Sequence, residues 1–209
     1  MRATSLLVGE SRASPWRTVR ASGRGRPVVV GRNFEVRGAR RVEVAPGGRL
    51  LLGVSRFGWA DRRLGGLLRV RGRLHVGGAV DVAVGCRVDV GPDAEVRIGD
   101  GTTISPRTLL VASRETTIGE GCAISWDCQL LDDDFTDLWI EGRPSARSAP
   151  ITLGDHVWLA SRVVVVKGAR LAAGSVVAAG SVVVGHHDEP NCLLAGSPAR
   201  VVRRDVSWR

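Results

Sequence analysis

Residues 132–136 read Asp-Asp-Asp-Phe-Thr, three successive carboxylates at the point where the chain leaves a strictly periodic region. Carboxylates held close raise one another's pKa, and one lifted toward neutrality can accept a proton from a hydroxyl. Asp132 and Asp134 are therefore candidate general bases. Residues 132–150 offer no histidine, cysteine or lysine to share that work, and Thr136 supplies only a hydroxyl. The four histidines lie elsewhere, at His75, His156, His186 and His187. His156, in "GDHVW" just after the acidic stretch, has a ring that titrates where a general base is wanted. No metal is expected, because His186 and His187 alternate sides and His75 lies far away in the chain. The cysteines Cys86, Cys122, Cys128 and Cys192 form no CxxC pair and read as reduced, small buried residues.

What must position these groups is a repeat of six. From residue 153 the chain divides into LGDHVW, LASRVV, VVKGAR, LAAGSV and VAAGSV, followed by Val183. Every first position is aliphatic: Leu153, Leu159, Val165, Leu171, Val177 and Val183. Every fifth position is small or β-branched: Val157, Val163, Ala169, Ser175 and Ser181. The same rule governs IGDGTT and ISPRTL, then, after a slip of two residues, IGEGCA and ISWDCQ. A helix repeats apolar residues at three and four, and a strand at two. A period of six fits neither; it predicts a short strand plus a corner, with eighteen residues from Leu153 to Leu171 closing one triangular coil. Glycines at second positions (Gly99, Gly119, Gly154) suit corners where a side chain collides or φ is positive. The expected class is all-β.

The remaining segments are less regular. Residues 26–97 alternate with period two and break at Gly or Pro-Asp, which predicts irregular coils of the same body with an exposed loop near Ser55–Gly66. The regular repeat occupies 98–196, with a protruding loop over 132–150. Residues 1–25 show no period and read as a mobile or docking arm. In "GSPARVVRRDVSW", Ser197 as an N-cap and Pro198 at the first helical position predict a short C-terminal helix over 197–209.

Charge is polarised along the chain. Residues 1–75 hold seventeen arginines against four acids, +13, whereas residues 76–209 total −4. Such a basic half can serve nucleic acid, acidic lipid or a phosphorylated ligand, or simply lie on solvated faces. No pattern of aromatic residues interleaved with the arginines marks a nucleic-acid platform, so no nucleic-acid partner is expected. No apolar run is long enough for a signal-peptide core or a membrane span, which predicts a cytoplasmic protein.

The hexads, together with "ITLGDHVWLASRVVVVKGARLAAGSVVAAGSVV" and "LLAGSPARVVR", resemble the hexapeptide-repeat acyltransferases, in the branch of maltose and colanic acid O-acetyltransferases. The resemblance is best over residues 98–208. It implies a left-handed parallel β-helix, a homotrimer, and acetyl-CoA or another acyl-CoA as co-substrate bound between subunits. The acyl group would pass to a hydroxyl of a sugar or similar small acceptor. By the same resemblance, Trp158, Ala160, Ala178, Ala179 and Ser181 would line the pantetheine groove. Arg200, Arg203 and Arg204 would meet the nucleotide phosphates, and Trp126 and Asp127 would stand at the acceptor mouth.

Two departures qualify this. The family's motif after "ISW" commonly ends Asp-x-Asp-Phe-His, and that histidine is the general base; here Thr136 takes its place, while Asp134 matches the acid that orients it. The Thr-Lys usual after "AGSVV" is Val184-Gly185. The sequence therefore leaves open a catalytically silent scaffold that binds a ligand or partner, or a repurposed enzyme using the Asp132–Asp134 carboxylates.

Overall fold

A computed structural model describes residues 27–56, 60–61 and 63–209, with residues 9–10 and 55–56 described by backbone alone. The chain winds into a left-handed parallel β-helix whose three faces are parallel sheets. One sheet stacks Val28–Val30, Arg49–Leu52, Ala79–Val82, Thr103–Ile104, Ala123–Ile124, Trp158–Leu159, Val176–Val177 and Leu193–Gly196. The second runs from Phe34–Arg37 through Gly66–Val70, Arg87–Val90, Leu109–Ala112, Gln129–Leu131 and Val164–Val166 to Val182–Val183. The third runs from Val42–Val44 to His186–His187, and includes Glu115–Ile118, Ile151–Leu153 and Arg170–Leu171.

The hexad rule sets the register. Leu153 pairs with Leu171, Leu159 with Val177 and Val165 with Val183, so eighteen residues make one turn of the triangle. All first-position residues lie inside, at 2% exposure or less. Full burial of each such side chain is worth roughly 1.5–3 kcal/mol. The two-residue slip before Ile118 is a bend at Ser113–Arg114 in the corner between the second and third sheets.

Fifth positions do more than fill space. Thr102 and Thr108 donate their hydroxyls to the carbonyls of Gly119 (2.8 Å) and Ser125 (2.9 Å) in the following coil. Cys122 and Cys128 repeat the contact toward Gly154 (3.2 Å) and Ala160 (3.1 Å), as Cys86 does toward Ser105 (3.0 Å). A small donor at this position thus ties one corner carbonyl to the coil before it.

The corners obey a further rule. Fourth positions adopt positive φ throughout the regular hexads, at Gly101, Arg107, Gly121, Asp127, His156, Arg162, Gly168, Gly174 and Gly180. Second positions instead need glycine for space, since a Cβ at Gly119 would stand 2.6 Å from the backbone nitrogen of Asp155. Arg107, Asp127, His156 and Arg162 carry side chains where each costs roughly 1–2 kcal/mol of backbone strain.

The expected C-terminal helix is a correction. Ala199–Arg203 is a strand, pairing antiparallel with Leu193–Gly196 across a cis Ser197–Pro198 bond. Ser-Pro-Ala is a helix start only by local preference; here the open edge of the first sheet takes up the backbone groups of 199–203. No α-helix occurs among the described residues, and none is long and apolar enough to cross a membrane. Most of the 1–25 arm lies outside the described residues; Gly9–Glu10 pairs antiparallel with Ser55–Arg56. Part of the expected loop near Ser55–Gly66 lies outside them too.

Candidate functional site

The 132–150 loop leaves the helix between Gln129–Leu131 and Ile151–Leu153, at the corner joining the second and third sheets. Its tip is a two-strand hairpin, Trp139–Ile140 against Arg143–Pro144. Leu138, Trp139 and Ile140 are more than half exposed there, at 51%, 64% and 56%.

The acidic run forms the root of this loop, and each carboxylate has its own partner. Asp132 is fully buried and accepts the backbone N–H groups of Ser113 (2.6 Å) and Arg114 (2.9 Å), which pins the two-residue slip of the preceding coil. Burial pushes its carboxyl above the ordinary range, against the pull of these N–H groups; the charge of Asp133 is a minor contributor. Asp133 pairs with Arg147 at 2.9 Å and accepts the N–H of Phe135 at 2.6 Å. Burial alone would raise it, but these partners outweigh burial and hold its carboxyl below the usual range. One acid of the run is thus lifted, Asp132, by burial far more than by the charge of Asp133, while Arg147 and the Phe135 N–H lower Asp133.

Asp134 binds Lys167, whose ammonium also donates to the carbonyl of Ala146. Lys167 sits on the same corner one coil further along, and closes the loop root from above. Sequence reasoning passed over it as a candidate, although its signal was present: it is the chain's only lysine. Thr136 is exposed and makes no side-chain hydrogen bond among the described residues.

The other candidates lie on different corners. Trp126 and Asp127 occupy the corner between the first and second sheets. Asp127 takes a guanidinium fork from Arg107 in the coil before it, with Nε at 2.7 Å, and this bond holds its carboxyl low. Trp126 is 41% exposed. Ala178, Ala179 and Ser181 lie on the same corner two coils on. The N–H groups of Ala160 and Ala178 are spent on the next coil's carbonyls, and the Ser181 hydroxyl accepts from Gly196 (3.1 Å). Small side chains remain, which leave room for a narrow ligand against that edge.

His156 stands on the third corner, exposed, with φ of 55°. Its ring stacks on Trp208 of the C-terminal tail, with centroids 4.0 Å apart and planes 4° apart. The Trp208 indole donates to the His156 carbonyl at 2.9 Å, and His156 Nε2 lies 3.1 Å from the Trp208 carbonyl. A carbonyl only accepts, so Nε2 carries the proton and Nδ1 keeps a free lone pair. Trp158 tilts against Trp208 and donates its own indole N–H to the hydroxyl of Ser125 (3.1 Å).

Arg200, Arg203 and Arg204 lose the shared face that a helix would have given them. On and after the terminal strand, Arg200 and Arg203 turn back to the carbonyls of Ala199 and Val202, while Arg204 pairs with Glu189 at 2.8 Å. Among the described residues no three His, Cys, Asp or Glu side chains gather as a metal site.

No protein-family model matches the chain. It is 31% identical over 182 residues, 87% of its length and 81% of the other's, to an uncharacterized 24.8 kDa protein in the cps region of Klebsiella pneumoniae. The chain belongs to that protein's family. Among solved structures it is similar to the hexapeptide-repeat containing acetyltransferase VCA0836 of Vibrio cholerae, at 28% identity. That match covers 60% of this chain and 70% of that one, with a TM-score of 0.53. The polysialic acid O-acetyltransferase OatWY shares the fold over 88% and 89% of the two chains, at 19% identity and a TM-score of 0.60. Acetyltransferases built on hexapeptide repeats are therefore its structural neighbours.

Proposed function

We propose that the chain is an O-acyltransferase that moves an acyl group from acyl-CoA to a hydroxyl of a sugar or natural-product acceptor, working as a homotrimer. The observation that carries this reading is the set of candidate groups at the level of two adjoining coils. Trp126–Asp127, the 132–150 loop and His156–Trp158 project from three different corners of the triangle. One chain cannot turn three corners toward one another. Neighbouring copies packed side by side can, and the likeness to the acetyltransferase VCA0836 supports the chemistry.

In this reading His156 is the general base. The alternatives are occupied: Asp132 is buried against backbone N–H groups, Asp133 is held by Arg147 and Asp134 by Lys167. Thr136, in the family's histidine position, has no basic group. The Trp208 carbonyl fixes the His156 tautomer and leaves Nδ1 to take the acceptor's proton. The acceptor oxygen then attacks the thioester carbonyl, the C–S bond breaks, and the CoA thiolate leaves and takes up a proton. Trp126 gives the acceptor a flat apolar face, and Trp158 with Ala160, Ala178 and Ala179 forms the edge for pantetheine. The acceptor class follows that named for OatWY.

Thiol release from acetyl-CoA in the presence of glycan acceptors tests the reading. His156→Ala should lower kcat by roughly 100-fold or more while acetyl-CoA binding persists. Absence of calorimetric binding at millimolar acetyl-CoA would overturn it. Binding without transfer, coupled with gain of transfer in Thr136→His, would favour the second reading, a silent scaffold, which Thr136 itself recommends.

A further inference from the structure

An open cleft of about 450 Å³ lies on the N-terminal coils, at the corner between the first and second sheets. Arg32, Arg63 and Arg87 line it, with Asn33, Glu35 and Gly65. The fold brings these residues from three successive coils. Arg32 and Asn33 form the first coil's corner, and the Asn33 carbonyl accepts the N–H of Gly66 at 2.9 Å. Asp61 shapes the second coil's turn by accepting the backbone N–H of Arg63 at 2.9 Å. Arg87 opens the third coil's strand, in register with Leu67 and, beyond it, Glu35.

Elsewhere in this half, convergent arginines bring their own acids. Arg69 and Arg71 share Asp89, and Arg97 lies between Glu95 and Glu115. Arg32, Arg63 and Arg87 make no ion pair or side-chain hydrogen bond among the described residues. Glu35, the only carboxylate among the described residues lining the cleft, already receives the Nε–H of Arg37 at 2.7 Å. Three guanidiniums against one carboxylate leave the cleft with two positive charges. Like charges gathered without counter-charge repel one another, so the arrangement calls for an anion.

We infer that this cleft binds a phosphoryl group, as a phosphate monoester or a diphosphate. A single carboxylate would neutralise half of its charge. A phosphate monoester carries about −1.5 to −2 at neutral pH and presents three oxygens to guanidinium forks. The site shares its corner with Trp126–Asp127 and the pantetheine edge but lies lower in the stack: Arg87 is two strands below Gln129 in the second sheet, roughly 10 Å, and the pantetheine edge lies one to two coils beyond that.

Calorimetry with inorganic pyrophosphate on the full chain tests the inference. Binding should weaken by about tenfold or more in Arg87→Gln and, in a separate fold-neutral variant, Arg32→Gln. Glu35→Gln should tighten it several-fold. Arg49→Gln, an exposed arginine outside the cleft, should leave it unchanged. Affinity for inorganic phosphate should fall below about pH 6, as the dianion is protonated. Equal loss in Arg49→Gln would overturn the proposal by reducing the effect to net charge, and so would equal affinity for acetate. Displacement of pyrophosphate by acetyl-CoA would overturn it as a separate site, and acetyl-CoA binding measured alone reports on the acyltransferase reading independently.

Discussion

At the root of the 132–150 loop, every carboxylate of the acidic run has a donor of its own; in the N-terminal cleft, three guanidiniums face a single described carboxylate, Glu35, which Arg37 already engages. The acids are a run in the sequence, whereas the three arginines are scattered along it and meet only in the fold. Asp132, Asp133 and Asp134 point into backbone N–H groups, Arg147 and Lys167, and together they fasten a loop to its coils. Arg32, Arg63 and Arg87 fasten nothing among the described residues. A charged cluster that is internally satisfied contributes to the fold, and one that is not is available to a ligand. The difference teaches that density of charge is a poor guide to chemistry until its partners are counted.

The largest effect should come from the most enclosed member of the acidic set. Asp132→Ala strips two N–H groups of a buried acceptor and should cost about 3 kcal/mol, read as a lowered denaturant midpoint. Next, Asp133→Asn should cost about 1 kcal/mol at neutral pH, with a distinctive pH signature. The folded carboxyl of Asp133 lies below its unfolded value of about 3.9, so its stabilisation is complete above that pH and is lost as pH falls through the folded value. Stability curves of the wild type and Asp133→Asn should therefore converge on acidification. Asp132 works in the opposite sense, since burial raises it and protonation relieves the folded state; Asp132→Asn should steepen the acid limb. Smallest of all, Arg32→Gln should change stability by no more than about 0.5 kcal/mol in either direction. A loss as large as that of Asp133→Asn would erase the contrast between the two clusters.

Much of the scaffold was legible because interior geometry repeats. First-position aliphatics and small fifth positions each answer to one neighbour, the same residue type one coil away, so period alone reveals them. The fourth-position rule was equally present in Gly101, Gly121, Gly168, Gly174 and Gly180, but was masked by Arg107, Asp127, His156 and Arg162, which take the same backbone conformation. The C-terminal helix was misread because Ser-Pro-Ala signals a helix start only if nothing competes for the backbone, and an open sheet edge does. The site was less legible than the fold. Asp134 was visible as an acid, but its partner Lys167 lies 33 residues away in the chain, and only the stacking of coils brings them together. The contact between His156 and Trp208 spans 52 residues and has no period at all.

The thiols of the fifth-position ladder have a practical consequence. All four cysteines are free and buried, and burial pushes Cys86 up to about 12 and Cys128 to about 11. Thiolate is the species that alkylating reagents attack, so the folded protein should react slowly with maleimides near neutral pH. A single cysteine introduced at exposed Asp93 would then be the sole reactive thiol. The native chain is thereby ready for site-specific spin labels or fluorophores, with no background substitutions to remove.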